Sequence, residues 1–216
     1  MLLCGRYQDG RGGWPVPVER RLVDGRLRLG AGWYSAMSQG QAMSVLARAF
    51  WTTGDRRYLD AARRATAPFD VRSADGGVLA SLYGSAWYEE YPTVPGTFVL
   101  NGFVYALFGL YDLKSCVGAK DRGGAERLLA AGVASLRRLL PLYDTGTGSL
   151  YDLRHVTLRA GGRQAPQRAR SDYHVTHVIQ LLTLATISDD DVVAATARRW
   201  LGYLYGRWAP KLPPAR

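Results

Sequence analysis

The spacing of hydrophobic and polar residues changes along the chain from alternation to helical periodicity. Apolar and polar positions alternate over residues 14–30, and the pair Asp24-Gly25 lies in the middle of this stretch. An Asp-Gly pair supplies the positive-φ residues of a tight hairpin turn. The pattern therefore predicts short paired strands at the start of the chain, and we treat residues 1–30 as a β-hairpin lead-in.

Apolar residues then recur at spacings of three and four, which is typical of amphipathic helices. The first stripe begins after Ser35 or Ser38 and stops at Gly54, and Pro68 ends the second stripe. The remaining predicted helices cover residues 98–113, 128–140 (closed by Pro141), 174–186 and 192–205. The pattern thus predicts three helical hairpins.

Two segments of different composition interrupt these helix pairs. Residues 76–97 and 143–172 are rich in Gly, Tyr and Thr, with β-like runs over 78–83 and 150–158. Long inserts between packed elements often carry function. Since three pairs cannot close a ring, we predict a mainly α fold, an incomplete α/α toroid (barrel) with short β-hairpin inserts. Residues 31–208 would form this barrel domain, and residues 209–216 a Pro-rich tail.

The formal charge of the chain is +10, from 28 basic and 18 acidic residues. A basic surface steers and holds anions, so the partner could be nucleic acid or an acidic polysaccharide. A solvated arginine-rich surface would give the same charge, and charge alone favours that interpretation.

The cysteines and the termini leave the compartment open. Cys4 and Cys116 allow one disulfide but no disulfide framework. No signal peptide is recognisable at the N-terminus, and no apolar run reaches the ~18 residues of a membrane span. The chain is expected to be soluble as written, or to be a piece of a longer protein.

The first insert carries two adjacent carboxylates among aromatic residues, in the run Trp-Tyr-Glu-Glu-Tyr-Pro at 87–92. If Glu90 is buried between Trp87 and Tyr91, its pKa rises and it becomes a usable acid or base. The alternative is a solvated loop with aromatic packing, which general loop propensities favour in isolation.

The second insert contains the run Tyr-Asp-Leu-Arg-His at 151–155. Tyr151 and Arg154 share a face if the run is helical and point to opposite sides if it is extended. A planar guanidinium binds a carboxylate through two hydrogen bonds. A structural ion pair of Arg154 with Asp152 or Asp172 is the alternative, and sequence alone favours it.

His174 and His177 are three residues apart on a predicted helix, and His155 and Asp172 could complete a metal site with them. The spacing lacks the H-E-x-x-H pattern and no cysteine pair supports zinc, so we expect capping or core hydrogen bonds, and neither a metal nor a cofactor. The glycines at 10–13 precede Trp14-Pro15 rather than a helix, and no Gly-x-Ser-x-Gly occurs. Nucleotide chemistry and serine hydrolysis are therefore disfavoured.

The residues in the inserts favour chemistry on an anionic ligand. The chain has 13 tyrosines, several of them in the inserts rather than in helix stripes. Tyrosine beside a carboxylate and an arginine suits proton transfer next to a bound carboxylate, or carbohydrate binding by stacking.

Seven short segments stand in the order and at the spacing of a known family. They are Gly-Gly-Trp-Pro (12–15), Gly-Trp-Tyr-Ser-Ala-Met-Ser-Gln-Gly-Gln (32–41), the run at 87–92, Val-Leu-Asn-Gly-Phe (99–103), 142–148, the run at 151–155, and Asp-Tyr-His-Val-Thr-His (172–177). Over about residues 8–205 the chain thus resembles the C-terminal domain of the heparan sulfate D-glucuronyl C5-epimerases.

The resemblance implies an incomplete α/α barrel and a dimeric enzyme that acts on N-sulfated or N-acetylated glucuronate–glucosamine chains, not on nucleic acid. By motif it implies these catalytic positions: Glu90, Tyr91, Tyr151, Arg154 and Tyr173. The same motifs suggest these substrate-binding residues: Trp87, Gln39, Asn101, His155 and His174. Family members also carry an upstream β-domain, and the animal enzymes are Golgi-lumenal.

Epimerisation removes the C5 proton of the uronate and returns a proton on the other face of the sugar. We expect Arg154 to neutralise the carboxylate, and Glu90 and Tyr173 to exchange the proton, with support from Tyr91 and Tyr151. The alternatives are a polysaccharide lyase or uronyl hydrolase on a similar toroid, and a glycan-binding domain that is inactive without its upstream β-domain.

Overall fold

The computed structural model describes residues 7–118, 122–158 and 164–211, and this part of the chain is mainly helical with two β-hairpins. In chain order the elements are β1 Arg20–Leu22, β2 Leu27–Leu29, α1 Ala36–Thr53, α2 Arg56–Arg64, β3 Leu79–Leu82, β4 Ser85–Tyr88, α3 Leu100–Cys116, α4 Gly123–Tyr143, α5 Arg154–Thr157, α6 Ser171–Ser188 and α7 Asp191–Leu204. The predicted fold class, helical and barrel-like with short β inserts, is confirmed.

The helix ends follow the expected capping chemistry. The Ser35 hydroxyl accepts a hydrogen bond from the Ser38 amide at the start of α1, and Gly54 ends that helix with φ of 70°. At the start of α7, the Asp190 carboxylate accepts from two backbone amides at 3.0 Å each. Such caps satisfy amides and carbonyls that have no partner within a helix, and they allowed the bounds of α1 to be predicted. Helices α3, α4 and α6 begin without a side-chain cap, and α4 begins before the predicted residue 128.

Helix α3 lies at the centre of the molecule and packs against α1, α4 and α6. Its residues Leu100, Phe103, Leu107 and Leu110 are all fully buried. A helix that is apolar on most faces is expected inside a protein rather than at its surface. The first insert leads directly into this buried helix, and the second insert contacts its start, since the Leu100 amide binds the Tyr151 carbonyl at 3.1 Å.

Helices α1 and α3 cross with their backbones in direct contact. A Cβ on Gly40 would lie 2.6 Å from the Ala106 Cα, and a Cβ on Gly109 would lie 2.1 Å from the Gly40 carbonyl oxygen. Real Cβ atoms do not approach so closely, so both positions require glycine as the helices now stand.

Each hairpin is closed by a tight turn with positive φ angles. Strands β1 and β2 pair antiparallel, and Asp24 and Gly25 have φ of 53° and 86°, which confirms the predicted N-terminal turn. Strands β3 and β4 are joined by Tyr83 and Gly84, with φ of 50° and 75°. In the second hairpin, paired positive φ angles match the twist of a two-residue turn. The first hairpin has a four-residue connection, residues 23–26, in which Val23 also has a positive φ of 52°.

Two sequence predictions are wrong in detail. Helix α4 does not end at Pro141 but continues to Tyr143, because a proline in the last turn removes only one internal hydrogen bond. The run 150–158 is not a strand. The Tyr151 amide binds the Gln167 carbonyl at 2.8 Å, and the chain then turns into the single-turn helix α5. These tertiary hydrogen bonds override the local β propensity.

The remaining global expectations concern cysteines and membranes. Cys116 is a free thiol, whereas Cys4 lies outside the described residues. In the described ranges, no helix combines the length and the apolar character that crossing a bilayer requires.

Candidate active site

A pocket of about 340 Å³ lies where the N-terminal hairpin, the loop after β4, the insert after α4 and the start of α6 meet. It is lined by Arg20, Leu22, Tyr91, Tyr151, Arg154, Gln167, Arg168, Arg170 and Tyr173. Four of the five predicted catalytic residues are thus brought together from three distant segments. A larger groove of about 590 Å³ between α1, α3 and α6 contains none of them, so chemistry rather than size identifies the site.

The tyrosines of the pocket form a tight group. The rings of Tyr151 and Tyr173 meet edge to face with centroids 4.8 Å apart. Burial, with the nearby Glu90 charge, raises the pKa of Tyr91 to about 12, and it raises the pKa of Tyr151 above its ordinary value. Both phenols therefore carry their protons at neutral pH in the free protein, where they can donate hydrogen bonds or a proton.

Arg154 is held in place by a fully buried carboxylate two residues away. Its Nε and Nη2 atoms bind the Asp152 Oδ2, and its backbone amide donates to the Asp152 Oδ1 at 3.2 Å. Burial raises the pKa of Asp152, and the guanidinium opposes this shift. The structural ion pair considered from sequence exists, and the same pair presents Arg154 to the pocket.

Glu90 lies directly behind the pocket and does not line it. Only 4% of its surface is exposed, and its carboxylate packs on the first turn of α3, where a Cβ on Gly102 would lie 2.3 Å from the Glu90 Oε2. This oxygen has no hydrogen-bond partner in the part of the chain that the structure describes. Burial raises the pKa of Glu90, and the hydroxyl of Tyr91 and the charge of Arg20 oppose that shift.

The adjacent Glu89 points into the core instead. Its two carboxylate oxygens accept from the Phe98 amide at 3.1 and 3.2 Å, which ties the loop before α3 to the end of β4. Burial raises the pKa of Glu89 to about 8. The two neighbouring glutamates therefore have different surroundings, and only Glu90 approaches the pocket.

Three predicted substrate-binding residues lie away from the pocket. Trp87 is fully buried and stacks on Phe103 with centroids 3.7 Å apart. Gln39 binds the backbone amide and carbonyl of Trp14 at 3.0 Å each, and the backbone carbonyl of Asn101 accepts from the side-chain amide of Gln180 at 3.0 Å. In this arrangement they fix loops and helices around the site.

Two of the three histidines, His174 and His177, lie in a buried polar cluster, and the third, His155, lies apart from it. The Nδ1 atoms of His174 and His177 lie 2.9 and 2.8 Å from the Ser149 hydroxyl, and the His174 Nε2 lies 3.2 Å from the Trp200 carbonyl. Burial lowers the pKa of His177 to about 3. His155 is half-buried outside the pocket lining. Across the described ranges, no three His, Cys, Asp or Glu side chains gather as metal ligands would.

Sequence reasoning missed more than half of the pocket wall. The additional lining residues are Arg20, Leu22, Gln167, Arg168 and Arg170. The strand alternation of β1 puts positions 20 and 22 on one face, but nothing local tells which face meets the inserts. Among the residues that the structure describes, the lining includes four arginines and no carboxylate. The pocket is therefore suited to an anionic ligand.

Fold and site together define a helical protein with an arginine pocket in which phenolic proton donors surround a place for an anion. Residues 8–202 match the family described as the D-glucuronyl C5-epimerase C-terminus. The chain is 50% identical over 213 residues to a D-glucuronyl C5-epimerase of Caenorhabditis elegans, covering 94% of this chain and 34% of the relative. The chain belongs to the D-glucuronyl C5-epimerase C-terminal family, as the sequence motifs indicated.

A second relative is the uncharacterized protein MJ1128 of Methanocaldococcus jannaschii, which is 31% identical over 177 residues. That match covers 80% of this chain and 53% of the relative. The chain thus spans about a third and about half of the lengths of these two relatives.

Proposed function

We propose that this chain is a catalytic domain that epimerises C5 of D-glucuronate units to L-iduronate in an acidic polysaccharide of the heparosan or heparan type. Family membership supports the reaction class, and the 50% identical relative carries the name of this activity. The observation that carries the proposal is the meeting of Arg154 with Tyr91, Tyr151 and Tyr173 in one pocket whose lining includes no carboxylate.

The pocket fits the charge that develops during the reaction. Removal of the proton at C5, next to the carboxylate, leaves an enolate-like species with its charge on the carboxylate oxygens. A guanidinium that is already oriented stabilises this charge without reorganisation. Arg154, fixed by Asp152, is our candidate for this contact. The protonated Tyr151 hydroxyl is the candidate hydrogen-bond donor beside it.

The proton transfer needs one group on each face of the sugar. We assign Glu90 and Tyr173 to these roles, and infer that Glu90 acts through Tyr91, since Glu90 is buried behind that residue. The Tyr91 oxygen takes the C5 proton while its own proton passes to the Glu90 carboxylate. Tyr173 then gives its proton to C5 from the opposite face and recovers one from solvent. The Glu90 carboxyl returns its proton to solvent, which restores the starting state.

Deuterium incorporation tests the reaction and the assignment together. In deuterated buffer, wild-type protein with heparosan should place deuterium at C5 and form iduronate, both measured by NMR. Tyr173→Phe or Glu90→Gln should lower the inversion rate ~10²–10⁴-fold, the usual effect of losing a general acid or base. The control is Tyr205→Phe, since Tyr205 is 72% exposed and lies outside the pocket.

Other outcomes would separate the alternatives. Unsaturated uronate absorbance without iduronate indicates a lyase, and polysaccharide binding without C5 exchange indicates a glycan-binding domain. Near wild-type inversion by both folded variants would overturn the assigned pair. A homodimer, expected from the resemblance, stays a prediction that sedimentation equilibrium can measure. A Golgi-lumenal location, which the animal members of the family suggest, also stays a prediction.

A further inference from the structure

Strand β1 presents alternate residues to the pocket and to solvent. Arg20 and Leu22 line the pocket, whereas the side chain of Arg21 between them is 60% exposed and pairs with Glu19. Successive side chains of a strand point to opposite faces, so one face of this short hairpin forms part of the pocket wall. The hairpin therefore belongs to the site.

Arg20 is in contact with a residue of the proposed proton pathway. Its guanidinium carbon lies 5.6 Å from the centroid of the Tyr91 ring, a cation–π distance. The ring of Trp33 lies 5.9 Å from the same tyrosine. Tyr91 is thus held between the N-terminal hairpin and the residues that follow it, with a positive charge over its ring.

The charges of the four pocket arginines are not equally available to a ligand. Arg154 is paired with the buried Asp152, and Arg170 lies 2.9 Å from Asp172. Arg168 has no carboxylate partner within the described ranges, but its guanidinium donates to two threonine hydroxyls. Arg20 makes no ion pair with a carboxylate in those ranges either. Its charge is therefore free to act on a bound anion and on the groups beside it.

We propose that Arg20 is a further catalytic residue, which contacts the uronate carboxylate and stabilises negative charge on Tyr91 and Glu90 during proton transfer. This inference rests on the proposed function. Asp152 neutralises part of the positive charge of Arg154. Arg20, from the N-terminal hairpin, would supply the remaining positive charge to the bound carboxylate.

Several titratable groups act on this pair, and the test must separate Arg20 from them. They are Arg20 from β1, Glu89 from the same loop, Tyr151 from the second insert and Tyr173 from α6. The first turn of α3, which packs on Glu90 at Gly102, carries no titratable side chain. Arg20 is the cation that acts on both Glu90 and Tyr91, so its removal should raise both pKa values.

The experiment compares Arg20→Gln with Arg21→Gln, a matched change on the opposite face of the same strand. Without substrate, a carbon-13 NMR titration of the glutamate carboxyls, assigned with Glu90→Gln, should show a raised Glu90 pKa in the first variant only. With a heparosan oligosaccharide, Arg20→Gln should bind more weakly by calorimetry and should lower the rate of C5 exchange at saturation by at least about tenfold. Arg20→Lys should restore part of both effects.

If Arg20→Gln and Arg21→Gln are equal in titration, affinity and exchange rate, the inference is wrong while the proposed function stands. If wild-type protein binds the oligosaccharide but exchanges no C5 proton, the proposed function fails, and with it the catalytic role of Arg20. The titration and the affinity then still show whether Arg20 acts on Glu90 and on the ligand.

Discussion

At the scale of single residues, the ion pair of Arg154 and Asp152 connects the protein core to the pocket, because Asp152 is buried and Arg154 lines the pocket. Asp152 is fully buried, and Arg154 is 17% exposed through its edge of the pocket. Breaking a buried pair leaves an uncompensated charge, so the two residues depend on each other. A change in either one is expected to alter both stability and ligand binding.

We predict that Arg154→Lys folds but loses C5 exchange about 100-fold or more, because lysine keeps the charge and loses the planar fork that binds two oxygens at once. The melting temperature should fall by only a few degrees, since a cation still faces Asp152. NMR exchange and calorimetric melting measure the two effects, with Arg21→Lys as control. Activity within a few-fold of wild type would remove Arg154 from the site.

Glu89 gives a second prediction at this scale, on stability against pH. Its pKa is raised from the ordinary 4.5 to about 8, so the folded state binds its proton more tightly than the unfolded state. The stability from this group is fully present below the ordinary pKa and is lost as the pH rises through about 8. Glu89→Gln does not titrate and should lose less stability over the same range.

Urea unfolding at several pH values between about 5 and 9 measures this difference. The unfolding free energy of Glu89→Gln minus that of wild type should increase with pH. The control for the loss of a glutamate side chain is Glu126→Gln, at a half-exposed carboxylate paired with Lys114. A constant difference for Glu89→Gln would mean that this carboxyl is ionised in the folded protein.

The sequence could predict individual site residues only where they belong to a short motif, such as those at 87–92, 151–155 and 172–177. Tyr91, Tyr151, Arg154 and Tyr173 came from such runs, and all four line the pocket. Trp87 came from the same kind of run and lies in the core, because local sequence does not tell which face of a strand becomes buried. Their catalytic roles stay predictions.

At the scale of elements, helices were predictable and the irregular inserts were not. Caps such as Ser35 and Gly54 are read from sequence because their chemistry is local. The path of residues 150–158 depends on hydrogen bonds to segments further along the chain, such as the bond from the Tyr151 amide to the Gln167 carbonyl. Nothing local encodes those partners.

The crossing of α1 and α3 gives a prediction for this scale. Gly109→Ala should lower the free energy of unfolding by about 1–3 kcal/mol, the usual effect of inserting a methyl group into a well-packed core. The control is Gly124→Ala in α4, where a Cβ meets nothing within 4 Å and alanine should stabilise the helix slightly. Urea unfolding of both variants measures the contrast, and equal effects would contradict the observed backbone contact.

At the scale of the whole molecule, the structure shows where part of the net charge of +10 lies. Part of it lies in the pocket, where Arg154 and Arg170 are paired with aspartates but Arg20 and Arg168 make no ion pair with a carboxylate within the described ranges. The interpretation of the charge as an indifferent solvated surface therefore explains only the remainder. Fields from clustered charges hold polyanions and are screened by salt.

We predict that the protein binds heparosan or heparin, with an affinity that falls several-fold between about 0.05 and 0.2 M salt. Dextran, a neutral polysaccharide, should not bind at any salt concentration. Fluorescence anisotropy with labelled oligosaccharides measures both. Binding that does not change with salt would contradict a pocket that acts through its arginines.

The pocket walls, from Arg20 to Tyr173, come from segments that are far apart along the chain. The helices around them form through contacts between neighbours in sequence, whereas the walls meet only when the hairpin at one end docks beside a helix near the other. Contacts of long sequence separation close late in folding because their loop entropy must first be overcome. The molecule can therefore regain most of its helix content before it regains a site, so an intact helical spectrum after refolding is no measure of competence to bind.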